Sequence, residues 1–442
     1  MWVEFRAFYR ALQFLVFKFG MNSDALDKTI DEALSGKKIL LTGATGFLGQ
    51  TLLIDLLNKK IRFDKIFLII RASRDKSALE RLKELKSQLL KKLHDRSFEI
   101  ESLLDRLYLL EVDLKNTQEV IDKLSSHEQA RGLDLIVHCA ANLKFHEPIE
   151  RAFLDNAAST FLLSELLNCD GFEKCKLLLV SSAYVTGRRD GKVREELNQR
   201  DFEVDIFRQS KDLNWCLKKS SEHVNRYPNH YLWSKSVAEQ ILTALNKPDR
   251  FLIYRPSIIQ KFGANSSMEL YGLAHRAQYF VAKPQVRMDI VSVDFVAQHL
   301  WLCAARLLSG TELTSRNNII HACRGWKDSL PFANFLQQAA QFASQTNSAP
   351  FKIIGSFEYY VRNLLAVCLR PFALFSSKIY KYLERWKFTQ NFYRNFKAFV
   401  CDYQFDFVND NLEALREAAS MSAGSTRLTD QTSLQSSNTL IK

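Results

Sequence analysis

Three evenly spaced glycines, Gly43, Gly46 and Gly49, lie in the run Leu41-Thr42-Gly43-Ala44-Thr45-Gly46-Phe47-Leu48-Gly49 and constrain the fold more than any other feature of the chain. Before them, Lys38-Ile39-Leu40-Leu41 is short and apolar, as a buried strand is. After them, Thr51-Leu52-Leu53-Ile54-Asp55-Leu56-Leu57 carries its apolar residues at helical spacing. Strand, glycine turn and helix in that order predict a dinucleotide site. The first glycine permits the tight turn, and the second lets backbone N–H groups approach a pyrophosphate. The third lets the helix pack closely, with its positive N-terminal end toward the phosphates. A strand-to-helix turn without a ligand explains three glycines at this spacing poorly.

The alternation continues. Ile66–Ile70, Leu107–Val112, Leu133–His138 and Lys176–Ser181 read as further strands, separated by helices over Ser77–His94 and Ala152–Leu167. Phe251–Arg255 reads as another strand. Continuous apolar strands between helices predict an α/β fold, a Rossmann-type doubly wound parallel sheet covered on both faces. A smaller substrate-binding segment follows at about 260–330. Residues 331–419 are helical, aromatic and basic in texture, and Leu364–Phe375, their most apolar part, is too short to span a bilayer. The Ser/Thr-rich stretch 420–442 reads as a disordered tail.

With 442 residues the chain has room for two or three domains, and 47 % hydrophobic with 25 % charged residues is ordinary for a globular protein. A net charge of +12 implies anionic company, either a phosphorylated cofactor or substrate or an anionic membrane surface. No nucleic-acid module is present, so that partner is not expected. Eight cysteines and nine histidines lack the spacing of metal ligands. No metal site is expected, and the cysteines read as reduced thiols of an intracellular protein, in the cytoplasm or on the cytosolic face of a membrane. Residues 1–35 form an amphipathic N-terminal region, in which Phe5, Phe8, Leu12, Leu15 and Phe19 share one helical stripe. Charges at Glu4, Arg6, Arg10 and Lys18 exclude a signal peptide. Two readings stand: an interfacial helix, or one docked on the protein's own core.

Three further features fit reductase chemistry. Arg71 follows the second strand, where the adenosine ribose of a nicotinamide cofactor is read; an arginine there suits a 2′-phosphate and favours NADPH. Asp113-Leu114 ends the third strand, where a carboxylate can meet the adenine edge. Tyr231-Leu232-Trp233-Ser234-Lys235 puts a phenol and an amine four residues apart on one helical face. A nearby ammonium lowers the phenol pKa and makes it a usable proton donor and acceptor. Between turn and pair lies Val180-Ser181-Ser182-Ala183-Tyr184-Val185-Thr186-Gly187, whose Ser182 is placed to hydrogen-bond a substrate carbonyl; strand alternation prefers it to Ser181.

These residues resemble the extended short-chain dehydrogenase/reductases, and longer stretches resemble the fatty acyl-CoA reductases within that group, of male-sterility type. The stretches are Ile66–Arg71, His138–Pro148, Ser181–Gly187, Pro228–Tyr231 with Lys235 and Ala238-Glu239, Arg255–Ile259 and Asp289–Asp294. The likeness spans roughly 36–330, which it marks as an NADP-binding domain. It implies Ser182, Tyr231 and Lys235 as catalytic residues. As cofactor contacts it implies Thr42, Gly43, Thr45, Gly46, Phe47, Leu48, Gly49, Arg71, Asp113, Leu114, Ala140, Ala141 and Pro256, with Tyr231 and Lys235 again.

The implied activity is NADPH-dependent reduction of a long-chain acyl-CoA or acyl-carrier thioester to an aldehyde or primary alcohol. Two departures are visible: a serine at 182 where the family commonly has threonine, and a short Gln260–Met288 stretch without the usual Trp- and Pro-rich sequence. Two alternatives keep the fold: an enzyme acting on a sterol or nucleotide-sugar hydroxyl, and a non-catalytic NADPH-binding protein.

Overall fold

Strands buried on both faces must be apolar throughout, and Lys38–Thr42 (β1), Lys65–Ile69 (β2), Leu107–Leu110 (β3), Leu135–His138 (β4) and Lys176–Val180 (β5) largely are. With Phe251–Pro256 (β6) and Ile319–Ala322 (β7) they form one seven-stranded sheet in the order β7-β6-β5-β4-β1-β2-β3, every pair parallel. This is the doubly wound arrangement expected. The direction of winding reverses between β1 and β4, which opens a crevice beyond their carboxyl ends. The computed structural model describes residues 23–93, 97–114, 119, 122–124, 130–210, 212–260, 279–310, 318–334 and 352–421. The Trp2–Phe19 stripe, most of the Gln260–Met288 stretch and nearly all of the expected tail lie outside these residues.

Period-two alternation divides the core into two layers. Ile39 and Leu41 of β1 face one cluster, with Ser23–Leu34 (α1), Phe47–Asn58 (α2) and Ala78–Lys92 (α3). Leu40 faces the other, with Ile149–Asn156 (α4), Ala158–Leu166 (α5) and His230–Leu245 (α6). Val293–Ser309 (α7) joins the first layer against α1 and α2. α3 starts where a capping box sets it: the Ser77 hydroxyl accepts from the Glu80 amide while the Glu80 carboxylate accepts from the Ser77 amide. The single helix expected over Ala152–Leu167 begins earlier, after Pro148, and is divided at Ala157. There an i+3 bond from the Thr160 amide to the Ala157 carbonyl tightens the turn.

The C-terminal region is mostly helical, with Ser356–Leu369 (α8) and Ser377–Lys397 (α9). It also adds two short strands that tie it to the rest. Lys352–Ile354 pairs with Tyr279–Val281, and Phe405–Phe407 pairs with Gly191–Val193. A last helix over 410–421 returns Leu412, Leu415 and Ala419 to the layer containing α7.

Candidate active site

The glycine turn lies where β1 ends. Gly43 has φ +74°, and a Cβ there would sit 2.8 Å from the Ala140 amide nitrogen. Only glycine meets both conditions. A Cβ on Gly49 would run into the Gly43 carbonyl oxygen, so the third glycine lets α2 pack on the turn itself. The N-terminal end of α2 thereby opens onto a cleft of about 440 Å³. Its wall includes Gly43, Gly46, Phe47, Leu48 and Gly49, and also Ala141, Ser182, Tyr231, Lys235 and Pro256. An amide-rich turn that no side chain fills, at a helix N-terminus, suits a dinucleotide pyrophosphate.

Other proposed cofactor contacts sit elsewhere. Thr42 is fully buried; its hydroxyl lies 2.7 Å from His138 Nδ1 and accepts from the Ala140 amide at 3.0 Å, tying β1 to the end of β4. His138 Nε2 is 3.0 Å from Ser159 Oγ, and burial holds the ring near pKa 3, so it is neutral. Thr45 and Arg71 meet through a residue the sequence reading missed. Arg81, on α3, donates to the Thr45 hydroxyl at 3.1 Å and to the Arg71 carbonyl. Arg71 also lies 3.5 Å from Asp113, both side chains exposed, so the two expected adenosine-end residues face each other across the ends of β2 and β3. Leu114 packs against the core beside them.

Tyr231 is in the first turn of α6, which the Asn229 side chain caps by accepting from the Leu232 amide at 2.9 Å. Lys235, one turn on, is buried, and its Nζ donates to the Val180 carbonyl at 2.7 Å. Burial lowers its pKa to about 8, against the opposing pull of Cys139 and Glu239. The expected acidification of Tyr231 is not found: desolvation pushes the phenol up, and the Lys235 ammonium donates to the end of β5. Serine placement also differs from the expectation. Ser181 and Ser182 both line the cleft, because β5 ends at Val180 and strand alternation ends with it. Ser182 Oγ accepts from the Tyr184 amide at 3.3 Å, whereas Ser181 Oγ is buried without a hydrogen-bond partner among the described residues.

A polar relay holds this geometry. Asn156, also unnoticed in the sequence, donates to the Asn142 carbonyl at 3.1 Å and to Ser234 Oγ at 2.9 Å, and Ser234 donates to the Tyr231 carbonyl at 2.8 Å. Apolar side chains complete the wall. Phe145 lies 6.0 Å from the Tyr231 ring and 6.0 Å from Phe396, and Phe399 lies 4.9 Å from Tyr184. His146 Nε2 is 2.9 Å from Asn395 Oδ1, which fastens the end of α9 beside the cleft. Cys139 also lines it, but burial pushes its thiol up to about 12 and keeps it protonated.

Residues 41–300, more than half of the chain, match the NAD-binding family described as male sterility protein. The chain belongs to this family. Curated relatives of this male sterility protein family member are fatty acyl-CoA reductases. Fatty acyl-CoA reductase 2, chloroplastic, of Arabidopsis thaliana is 26 % identical over 314 residues, covering 60 % of this chain and 50 % of that one. Fatty acyl-CoA reductase 1 of Mus musculus is 27 % identical over 243 residues, covering 52 % and 45 %. The chain thus spans about half the length of these two relatives. Among solved structures, the terminal R domain of the myxalamid PKS-NRPS pathway superimposes with TM-score 0.54 at 17 % identity, covering 88 % of this chain and 92 % of that one. The nonribosomal peptide synthetase R domain of Mycobacterium tuberculosis gives TM-score 0.54 at 19 % identity, covering 92 % and 91 %. At these identities the structural likeness establishes the shared fold. Family and fold together give the chain an NAD(P)-binding domain.

Proposed function

We propose that this protein reduces a long-chain fatty acyl thioester, acyl-CoA or an acyl carrier, with NADPH, first to the aldehyde and then to the primary alcohol. The observation that carries this reading is one cleft in which the glycine turn, Ser182, Tyr231 and Lys235 converge beneath a wall of Phe145, Phe396 and Phe399. The guanidinium groups of Arg71 and Arg81 at the adenosine end support NADPH over NADH. Bound NADPH supplies the hydride.

The chain's own groups manage charge and protons. Ser182 Oγ donates to the acyl carbonyl oxygen, and the Tyr231 phenol gives that oxygen a proton as charge develops on it. Lys235, held on the Val180 carbonyl, keeps a positive charge in the same pocket. The resulting hemithioacetal loses its C–S bond, with the hydroxyl proton passing to the departing thiol, and leaves an aldehyde. Reduction of that aldehyde repeats the proton donation from Tyr231. Each reduction consumes one NADPH and one proton. The high pKa of the buried phenol suits a group that must arrive protonated.

Purified protein with NADPH and palmitoyl-CoA should oxidise the cofactor and release free thiol together with hexadecanal or hexadecanol, detected by mass spectrometry. Absence of turnover with every acyl thioester in a chain-length series, despite NADPH binding, would reject the substrate. Peripheral contact with a membrane belongs to the same reading, since long acyl chains reside there.

A further inference from the structure

The helix α8 is apolar around most of its circumference, yet α9 covers only one stripe of it. On that stripe Tyr359 stacks on Trp386 at 5.5 Å, and Asn363 Oδ1 accepts from Gln390 at 2.6 Å. The other side is left in water. Phe357 and Leu364 are 84 % and 67 % exposed, and the 3-10 turn joining the two helices exposes Phe372, Leu374 and Phe375, the last two at 91 % and 86 %. Monomeric proteins rarely leave a contiguous apolar surface of this kind without a partner.

The charge left outside ion pairs around the patch has one sign among the described residues. Arg370, Lys378, Lys381 and Arg385 are exposed and make no ion pair among the described residues. The nearby acids are already matched, Glu358 by Arg362 and Glu384 by Lys387. A convex aromatic and aliphatic tip collared by cations fits the boundary between anionic headgroups and acyl chains. A second copy of this chain fits poorly, since it would set the same four cations against one another. No described helix is long and apolar enough to cross a membrane, so the contact lies in the interface.

We propose that the α8–α9 hairpin docks this protein on an anionic lipid surface. Phe372, Leu374 and Phe375 enter the headgroup–acyl boundary, and Arg370, Lys378, Lys381 and Arg385 lie at the level of the lipid phosphates. The inference deepens the membrane contact proposed above by naming the surface that makes it, but it rests on exposure and charge, so vesicle binding tests it separately from turnover. It also has a geometric consequence. α9 has 21 residues and so runs about 30 Å, from the lipid-facing end to Phe396 at the cleft wall.

The test is co-sedimentation of the full chain with phosphatidylcholine vesicles, with and without 30 % phosphatidylserine, at about 0.1 M salt. Wild type should bind the anionic vesicles at least tenfold better than the neutral ones and be released by about 1 M salt. Leu374→Glu/Phe375→Glu should lose at least tenfold of that binding with an unchanged Tm, because both side chains are already in solvent. Lys378→Glu/Lys381→Glu should lose the preference for phosphatidylserine. Failure of wild type to bind anionic vesicles, or equal binding by the Leu374→Glu/Phe375→Glu variant, would overturn the proposal. So would a wild-type dimer that this variant converts to a monomer, since the face would then be an interface between copies.

Discussion

The Lys235 ammonium lies 2.7 Å from the carbonyl oxygen of Val180, the last residue of β5 and the one before Ser181. That bond couples α6 to the strand end bearing the serines and puts a buried lysine at the wall of the cleft.

A pH limb follows. Burial lowers the Lys235 pKa to about 8, so kcat/KM should fall with a midpoint near pH 8, and Lys235→Arg, which keeps its charge, should flatten the limb. Unfolded lysine holds its proton to about pH 10.4, so between 8 and that value this residue's own contribution to stability rises with pH. The buried thiols of Cys139 and Cys175, pushed up to about 12, act oppositely once unfolded thiols ionise near pH 8.5. Circular dichroism at 25 °C should therefore show an intact fold at pH 8.5 while turnover declines. Coincident loss of the two signals would assign the limb to unfolding.

Tyr231→Phe should lower kcat by about 10² to 10⁴-fold, the usual worth of a positioned proton donor. NADPH affinity, read by fluorescence quenching, should change less than threefold. The hydroxyl has no hydrogen-bond partner among the described residues, so Tm should move little.

The glycine turn and the Tyr231/Lys235 pair were legible because both are local: covalent spacing alone places them on a turn and on one helical face. The parallel sheet was legible for a similar reason, since each strand is an uninterrupted apolar run. Relations between distant segments were not. The Arg71–Asp113 approach joins the ends of two strands, and Lys235 is drawn toward β5 rather than Tyr231; neither follows from periodicity. Phe396 and Phe399 looked like any other aromatics of a basic helix, and only tertiary packing brings them to the cleft. Arg81 had a weak signal, a cation in the first turn of α3, where helix geometry favours acids.

Gly43→Ala forces a side chain into a left-handed backbone and against Ala140. Strain of about 1–3 kcal/mol is expected, lowering Tm by several degrees and weakening NADPH binding at least tenfold. Calorimetry with and without cofactor measures both.

Arg81→Ala removes a guanidinium from the adenosine end. KM for NADPH should rise about 10- to 150-fold while that for NADH changes less than twofold, since one charge-assisted contact is worth about 1.5–3 kcal/mol. Equal effects on the two cofactors would make Arg81 a brace for the Thr45 turn.

Phe396→Ala shortens the apolar wall without touching Ser182, Tyr231 or Lys235. KM for a sixteen-carbon thioester should rise about 5- to 30-fold, as expected for the loss of about 1–2 kcal/mol of apolar contact, and KM for a four-carbon thioester should change little. A uniform loss across chain lengths would place Phe396 outside the acyl path.

The bond between His146 and Asn395 joins residues 249 positions apart. During synthesis on the ribosome, β1, the glycine turn and α6 emerge long before the aromatic segment that closes over them. The glycine turn and α6 are therefore made early, while the aromatic wall waits for residue 400 to clear the exit tunnel. Until then the cleft lacks the side that Phe396 and Phe399 complete, so a chain cut short before them carries the glycine turn and Tyr231 without that apolar cover.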